Sequence, residues 1–292
     1  SNRKRKGSSE GSRELKTNKT FQLKLIISIL LLHFGEVTIV CGQVDTLTQK
    51  PVQVNADDPS QFLTRVEIFN EFQHYDRSGG FNLNQTVFRT IIKLGKRFTT
   101  RVDVPLVNNS FPYPQGYASY GLGDISFRLL GYRIRQTKRS AVTASLEISL
   151  NTASTPAQGA GKNMLIPLIT YSSLLKDNKT IAVLTFQQTN SFSGDEARPD
   201  YSFSKIQGIL LHYWSRKMWS VVAPELFIDY INGGTSMILK GRMTFAPMPR
   251  MNIWVQANAG LYGDFIARYN WGAEAGARYF MVRARGIGKT SN

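Results

Sequence analysis

Few residues of this chain have the types and spacing that enzymatic or metal chemistry needs. The 292 residues include three histidines and one cysteine, Cys41, so a zinc site of the usual His and Cys composition is not expected. Neither His74 nor His212 has a serine two residues further on that its imidazole could activate as a nucleophile. We therefore expect structural roles for both histidines, and no catalytic, cofactor-binding or metal-binding residues.

The glycines and carboxylates form no enzyme motif either. Gly121 and Gly123 lack the third glycine and the following helix of a dinucleotide-binding fingerprint. The acidic residues that could act as acid and base fall on separate predicted strands, and they are Glu67, Glu147, Glu225, Asp229 and Glu274. We therefore predict that the chain is not an enzyme and uses no cofactor. The chemistry that remains is the electrostatics of its charged side chains.

Those charged side chains alternate with apolar ones. From Phe98 to Leu106 the even positions are apolar except for Thr100, while the odd positions up to Asp103 are polar. Before Gly95 the same parity holds, with Phe88 apolar and Arg89 polar. A period of two predicts strands with one apolar and one polar face, here two strands joined as a hairpin.

Parity also predicts the register of this hairpin. Leu94 and Phe98 must share the apolar face, so the turn between them contains an odd number of residues, three or five. The same alignment places Arg89 opposite Asp103, and Ile91 opposite Arg101.

The alternation predicts twelve strands in all and no amphipathic helix. In the first strand we expect Phe62, Val66 and Ile68 on the apolar face. In the fourth strand the alternation shifts by one residue near Gly131, and a β-bulge at Gly131 would account for this shift. The predicted strands are Phe62–Gln73, Gln85–Leu94, Phe98–Val107, Asp124–Ile134, Ala141–Leu150, Met164–Leu175, Ile181–Gln188, Phe203–Tyr213, Trp219–Tyr230, Ser236–Phe245, Met251–Leu261 and Trp271–Arg283.

The connections between these strands decide the fold class. They alternate between long (74–84, 108–121, 151–163 and 190–202) and short (95–97, 135–140, 176–179, 214–218 and 246–250), with medium ones at 231–235 and 262–270. Aromatic residues flank the short turns (Phe98, Tyr132, Tyr171, Tyr213, Trp219, Phe245 and Tyr279) and the longer loops (Phe72, Phe203, Tyr230, Tyr262, Tyr269 and Trp271). Short periplasmic turns, long external loops and two aromatic girdles are typical of barrels in membranes.

We therefore predict an all-β fold, a transmembrane antiparallel up-and-down β-barrel of about 12 strands in the outer membrane of a Gram-negative cell. In lipid every backbone N–H and C=O must be paired, and strands achieve this only in a closed sheet. A soluble β-sandwich is the alternative, but it has no reason to alternate its loop lengths.

The N-terminal region predicts export. The longest apolar run, Leu25–Phe34, is shorter than the roughly 20 residues of a spanning helix, follows several lysines and precedes small residues near Gly42, as in a signal peptide. The predicted segments are a basic disordered extension (1–16), the signal peptide (17–42), a periplasmic lead (43–61), the barrel (62–284) and a C-terminal tail (285–292). Whether residues 43–60 fold back as a plug is left open.

Two short motifs resemble a known family. Gly121-Leu122-Gly123-Asp124-Ile125 and Arg101-Val102-Asp103-Val104-Pro105-Leu106 are similar to segments of outer-membrane barrels named for the meta pathway of phenol degradation. The resemblance covers roughly Phe62 to Arg283 and implies a channel or transporter for small compounds, hydrophobic ones included. One departure is the basic tail after Phe280, because such barrels usually end on an aromatic residue.

Charge predicts what the lumen prefers. The formal net charge is +16, and since residues 1–42 carry eight basic and three acidic residues, the remaining chain keeps +11. An excess of positive charge in a channel attracts anions. By parity the lumen-lining residues are Arg65, Glu67, Arg89, Lys93, Arg97, Arg101, Asp103, Arg128, Glu147, Lys240, Arg242, Glu274 and Arg278.

The expected function is an outer-membrane channel for small, hydrophobic or anionic solutes, acting by passive or facilitated diffusion. The alternative is a barrel with a packed lumen that serves as a structural anchor or a lipid-modifying enzyme, since twelve strands allow a pore without requiring one. The expected partners are outer-membrane lipid, a small-molecule solute and the barrel-assembly machinery, and not nucleic acid.

Overall fold

The computed structural model describes residues 57, 61–76, 80–110, 118–263 and 269–281. They form antiparallel strands, and none of them is helical, so no helix of this part of the chain could cross a membrane. The strands are β1 (Arg65–Tyr75), β2 (Phe81–Leu94), β3 (Phe98–Ser110), β4 (Ala118–Leu122), β5 (Ser126–Gln136), β6 (Ser140–Ser149), β7 (Lys162–Leu174), β8 (Thr180–Gly194), β9 (Ser202–Tyr213), β10 (Met218–Asp229), β11 (Thr235–Met248), β12 (Met251–Gly263) and β13 (Trp271–Phe280).

The sheet closes on itself. Each strand pairs with its sequence neighbours, and β1 pairs with β13 from Arg65 opposite Phe280 to His74 opposite Trp271. β4 and β5 pair with successive parts of β3, so together they act as one interrupted strand. The described residues thus form a closed barrel with twelve strands around it, as the sequence predicts. We call its two ends the short-turn end, where β1 begins and β13 ends, and the loop end.

All twelve predicted strands are present, with changes at their ends. The loop expected at 74–84 spans only 76–80, because β2 begins at Phe81, and β8 continues to Gly194. The loop expected at 108–121 contains the end of β3 and the whole of β4. Polar residues such as Asn108 hid these extensions, since a strand that projects beyond the apolar band pairs its backbone without needing apolar side chains.

The predicted hairpin register is confirmed. Leu94 lies opposite Phe98 across the turn 95–97, Arg89 opposite Asp103, and Ile91 opposite Arg101. Gly95 has a φ of 73°, a left-handed conformation that glycine adopts without strain.

The bulge predicted at Gly131 lies elsewhere. The register between β5 and β6 shifts between Arg128 and Leu130, and again between Arg133 and Arg135. A Cβ at residue 131 would collide with the hydroxyl of Thr99 on β3. The glycine is therefore needed for close approach, and the parity slip comes from the irregularity just before it.

The outside of the barrel is apolar. Its exposed side chains include Ile68, Phe88, Ile92, Leu94, Ile169, Leu184, Phe186, Leu210, Val222, Met243, Ile253 and Val255. A band of this kind is the surface that a barrel presents to lipid. The barrel is therefore built to span a membrane.

Three aromatic residues that the sequence assigned to this outer surface lie inside instead. Phe62 and Tyr269 are buried, and Trp219 is fully buried. Phe62 lies before β1 and stacks on Arg133, so it is not on the lipid face. Other predicted girdle residues are exposed as expected, and they are Phe98, Tyr171, Phe245 and Tyr279 at the short-turn end, and Tyr230, Tyr262 and Trp271 at the loop end.

Several predicted segments cannot be compared with the structure. The basic extension (1–16), the signal peptide (17–42) and the C-terminal tail (285–292) lie outside the described residues, as does most of the lead (43–61). Asp57 and Gln61 are the described residues of that lead.

Candidate functional site: the charged interior

A band of ion pairs crosses the interior of the barrel. Strand parity turns the odd positions of β1, β2, β3 and β6 and the even positions of β11 and β13 inward, where arginines and carboxylates alternate. On one side Glu147 binds both Arg101 and Arg128, at 2.6 and 2.7 Å. Asp103 in turn binds Arg101 at 3.2 Å and Arg89 at 2.8 Å.

The band continues across the closure of the barrel. The carboxylate of Glu67 lies 2.6 Å from Arg65, 3.6 Å from Arg89 and 3.8 Å from Arg278. On β11, Arg242 binds Glu274 of β13 at 2.9 Å. We call this set the ionic belt, and its strand residues are Arg65, Glu67, Arg89, Arg101, Asp103, Arg128, Glu147, Arg242, Glu274 and Arg278.

One member of the belt comes from outside the strands. The carboxylate of Asp57, a residue of the N-terminal lead, accepts hydrogen bonds from Arg242 (3.0 Å) and Arg278 (3.1 Å). It also accepts from the indole Nε1 of Trp219 (2.7 Å) and the hydroxyl of Thr244 (3.3 Å). Burial raises the pKa of Asp57, but Arg278 and Arg242 outweigh it, so this pKa lies below its ordinary value. Asp57 is thus an anion at neutral pH.

The described residues that precede β1 contact the wall of the barrel. The hydroxyl of Thr64 accepts from the backbone N–H of Lys93, and its carbonyl accepts from that of Met281, so residue 64 is tied to the neighbouring strand ends. From there Phe62 reaches β5, where the guanidinium of Arg133 lies 4.5 Å from its ring. Asp57 reaches β10, β11 and β13. The described part of the lead therefore touches opposite walls of the lumen.

A separate pair lies nearer the loop end. Lys240 of β11 binds Glu225 of β10 at 3.1 Å, and Gln207 donates to the same carboxylate at 2.6 Å. Lys205 of β9 also faces the interior, where it lines the larger of the two cavities described below.

Eleven of the thirteen residues predicted to line the lumen lie in the ionic belt or in the Lys240 pair. Lys93 and Arg97 do not, because they are exposed next to the turn 95–97, beyond the mouth of the barrel. The prediction omitted Asp57, Glu71, Lys205 and Glu225. The alternation of polar and apolar residues along the strands would have identified Glu71, Lys205 and Glu225. Asp57 belongs to no strand, so the alternation could not identify it.

Two cavities lie against the ionic belt. The one toward the loop end has a volume of about 320 Å³ and is lined by Glu71, Gln85 and Lys240 among others. The one toward the short-turn end has a volume of about 390 Å³ and is lined by Asp57, Phe62 and other residues. Arg89 lines both cavities, so they adjoin each other at the belt.

The interior is also apolar in two places. Near the short-turn end Ile181, Val183, Leu211 and Trp219 form one inner cluster. Near the loop end Phe227, Ile238 and Tyr269 form another. These clusters give each mouth of the lumen one apolar wall beside its polar ones.

Both histidines have polar or aromatic partners. The ring nitrogens of His74 lie 2.6 Å from Asn82 and 2.9 Å from Asp76. His212 shares a hydrogen bond of 2.9 Å with Thr180 and contacts Trp214 edge-on. Within the described ranges no three His, Cys, Asp or Glu side chains are grouped so that they could hold a metal ion.

The similarity of this chain to known proteins is found in its structure and not in its sequence. No protein-family model matches the sequence, and no curated protein does. The COG4313 outer membrane channel from Pseudomonas putida F1 is similar over 78% of this chain and 99% of its own, with a TM-score of 0.64 and 10% identity.

Two porins are also similar. The NanC porin covers 74% of this chain and 100% of its own at a TM-score of 0.53 and 9% identity. The KdgM porin covers 74% and 98% at 0.52 and 8% identity. Closed barrels with an apolar outer band are proteins of outer membranes. The chain accordingly has the fold of the outer-membrane β-barrels that these channels and porins share.

Proposed function

We propose that this chain is an outer-membrane channel through which small molecules pass by passive or facilitated diffusion. The observation that carries this proposal is the pair of cavities inside a closed barrel, both of which are lined by side chains of the ionic belt. Side chains move far more readily than strands do, so such a band can open without disturbing the sheet. The similar solved structures described as channels and porins support the same function.

Anionic solutes are favoured by the charge at one mouth. The residues that line the two cavities are nearly balanced, with eight basic and seven acidic side chains, so the lumen itself holds little of the positive excess expected from sequence. The five short turns carry one acidic residue, Asp177, and a set of basic residues that we call the basic rim. The rim comprises Lys96, Arg97, Lys138, Arg139, Lys176, Lys179, Arg216, Lys217 and Arg250.

A charged rim of this kind raises the local concentration of anions at the mouth. The apolar inner cluster around Leu211 and Trp219 lies just inside the same mouth and would accept the apolar part of a solute. The resemblance to barrels of the meta pathway of phenol degradation, with its implied hydrophobic solutes, agrees with this arrangement. We therefore propose small anions with an apolar part as the solutes.

A second reading is a closed barrel that serves as an anchor. The ionic belt favours it, because buried ion pairs link side chains of neighbouring strands across the interior wall. A planar bilayer in which the purified protein produces no channel openings would support this second function. Assembly by the barrel-assembly machinery remains a prediction.

Conductance across a planar bilayer tests the channel. We expect discrete openings with the purified protein and, in a salt gradient, a reversal potential on the anion side. Changing Lys138, Lys176 and Lys217 together to glutamate should shift that potential toward cations, because the three substitutions remove six units of positive charge from the rim. The Glu196→Gln variant, altered in a loop at the other end, is the matched control. Absence of any opening contradicts the proposal, and an unchanged potential in the triple variant contradicts the role of the rim.

A further inference from the structure

The wall of the lumen contains a preformed receptor for a carboxylate. Both oxygens of Asp57 are satisfied. Oδ1 accepts from Arg242 (3.0 Å) and from two nitrogens of Arg278 (3.1 Å each), and Oδ2 accepts from Trp219 (2.7 Å) and Thr244 (3.3 Å). Two guanidinium groups, an indole N–H and a hydroxyl around one carboxylate form a complete recognition site, since charge-assisted bonds of this kind are about twice as strong as neutral ones.

All of these donors belong to the barrel wall and have supports of their own. The guanidinium groups of Arg278 and Arg242 lie over the ring of Trp254, at 4.4 and 5.3 Å. Glu274 binds both Arg242 (2.9 Å) and the Nε1 of Trp254 (2.5 Å). The donors would therefore keep their positions if Asp57 left, which makes the site preorganised for another anion.

The acceptor, in contrast, is not part of the barrel sheet. Asp57 lies eight positions before the first residue of β1, and its contacts described above are with side chains of the wall. A free carboxylate presents the same two oxygens as the side chain of Asp57. It can therefore replace Asp57, whereas a neutral molecule cannot, because Arg278 is only 3% exposed and would keep only the more distant carboxylate of Glu67, at 3.8 Å.

We propose that Trp219, Arg242, Thr244 and Arg278 form the solute-binding site of the channel, that its ligands are small carboxylates, and that Asp57 is a built-in competitor for it. A carboxylate that occupies the site takes the place of the Asp57 side chain among these four donors. This inference rests on the proposed channel function and names its substrate class.

Binding can be measured without conduction. Benzoate is the probe, since it joins a carboxylate to an apolar ring, and benzamide is its neutral counterpart. Isothermal titration of the detergent-purified full chain should show benzoate binding that becomes at least about tenfold tighter in Asp57→Ala, because a tethered competitor has an effective concentration in the millimolar range. Adding Arg242→Gln to Asp57→Ala should weaken that binding by at least about tenfold. Benzamide should bind to none of the three proteins.

Each variant is first checked for the folded band on an unboiled SDS gel, and Glu196→Gln serves as the control for losing one negative charge. Equal benzoate affinity in the wild-type chain and Asp57→Ala would overturn the inference, as would equal affinity for benzamide. Tighter benzoate binding by Asp57→Ala in a protein that never conducts would leave the site standing and remove the channel function instead.

Discussion

Arginine supplies most of the positive charge inside the barrel. Six of the ten strand residues of the ionic belt are arginines, and Glu147, Asp103 and Glu67 each contact two or more of them. A guanidinium has five donors in a planar fork, so it can bridge two carboxylates where a lysine would bind only one as a point charge. This explains why a continuous band forms around the interior instead of isolated pairs.

Removing one charged partner from the ionic belt should lower the stability of the barrel. A buried charge without its partner is strongly destabilising, whereas the intact pair adds little net stability. The belt therefore adds little net stability to the barrel, although each of its charges depends on its partners.

Glycine at position 131 is required by contact, and this is testable. The Gly131→Ala variant would place a methyl group against the hydroxyl of Thr99, and overpacking of this kind costs about 1 to 3 kcal/mol. We expect the free energy of unfolding, measured by urea titration in lipid vesicles, to fall by this amount, and the midpoint urea concentration to fall with it. Gly241→Ala is the matched control, because a Cβ there meets nothing within 4 Å. Equal midpoints for the two variants would show that the structure around residue 131 accommodates the added methyl group without a loss of stability.

At the scale of the strands, the barrel depends on the pairing of β1 with β13, its first and last elements. Bringing together strands so far apart in sequence costs conformational entropy, and the hydrogen bonds between them offset this cost only when the whole ladder forms. The alternation within each strand fixes which face is inside, and adjacent strands are aligned by short turns. Nothing local aligns β1 with β13, so their register is set by the closure of the sheet.

A disulfide can report that register. Asn70 lies opposite Ala275 across β1 and β13, and opposite residues in antiparallel strands have Cα atoms about 4.5 to 5.5 Å apart, within reach of a disulfide. In the chain from residue 43 onward, which contains no cysteine, Asn70→Cys with Ala275→Cys should therefore form a bond upon oxidation. Asn70→Cys with Ala273→Cys should not, because diagonal neighbours are too far apart. Electrophoresis with and without reductant distinguishes them, and a bond in the second pair alone would mean a shifted register.

The whole molecule is a sheet without free edges in which the apolar surface faces outward. In such a barrel each backbone group is paired within the sheet, so local opening breaks many hydrogen bonds at once. Stability therefore comes from closure more than from a packed apolar core, and the interior is free to hold charge.

Resistance to detergent follows from this closure. We expect the folded protein to remain intact in SDS at room temperature and to migrate differently after boiling, while its circular dichroism is dominated by strand. The variant pair Asn70→Cys with Ala275→Cys, when oxidised, should need a higher temperature to lose the folded band, since the closure is then covalent. A helical spectrum, or loss of the folded band in SDS without heating, would be incompatible with a closed barrel.

The sequence by itself determined the twelve strands, the inward and outward faces, and the register of the hairpin from β2 to β3. It could do so because a period of two is a local property, and a short turn between two alternating segments leaves few alignments. It also indicated most of the belt, since inward charged positions follow from parity alone. It misplaced Phe62 and Trp219, because an aromatic residue at a strand end has the same local pattern whether it faces lipid or lumen.

Only the tertiary structure decided what these inward charges meet. Glu147 and Arg101 lie 46 residues apart in sequence and Asp57 and Arg278 lie 221 apart, so no spacing along the chain could reveal their contacts. Asp57 belongs to no strand, so the alternation of the sequence does not predict its place inside the barrel. Its position follows from electrostatics in three dimensions: closing the sheet brings Arg242 and Arg278 together, and Asp57 supplies a carboxylate that both share in addition to their partners Glu274 and Glu67.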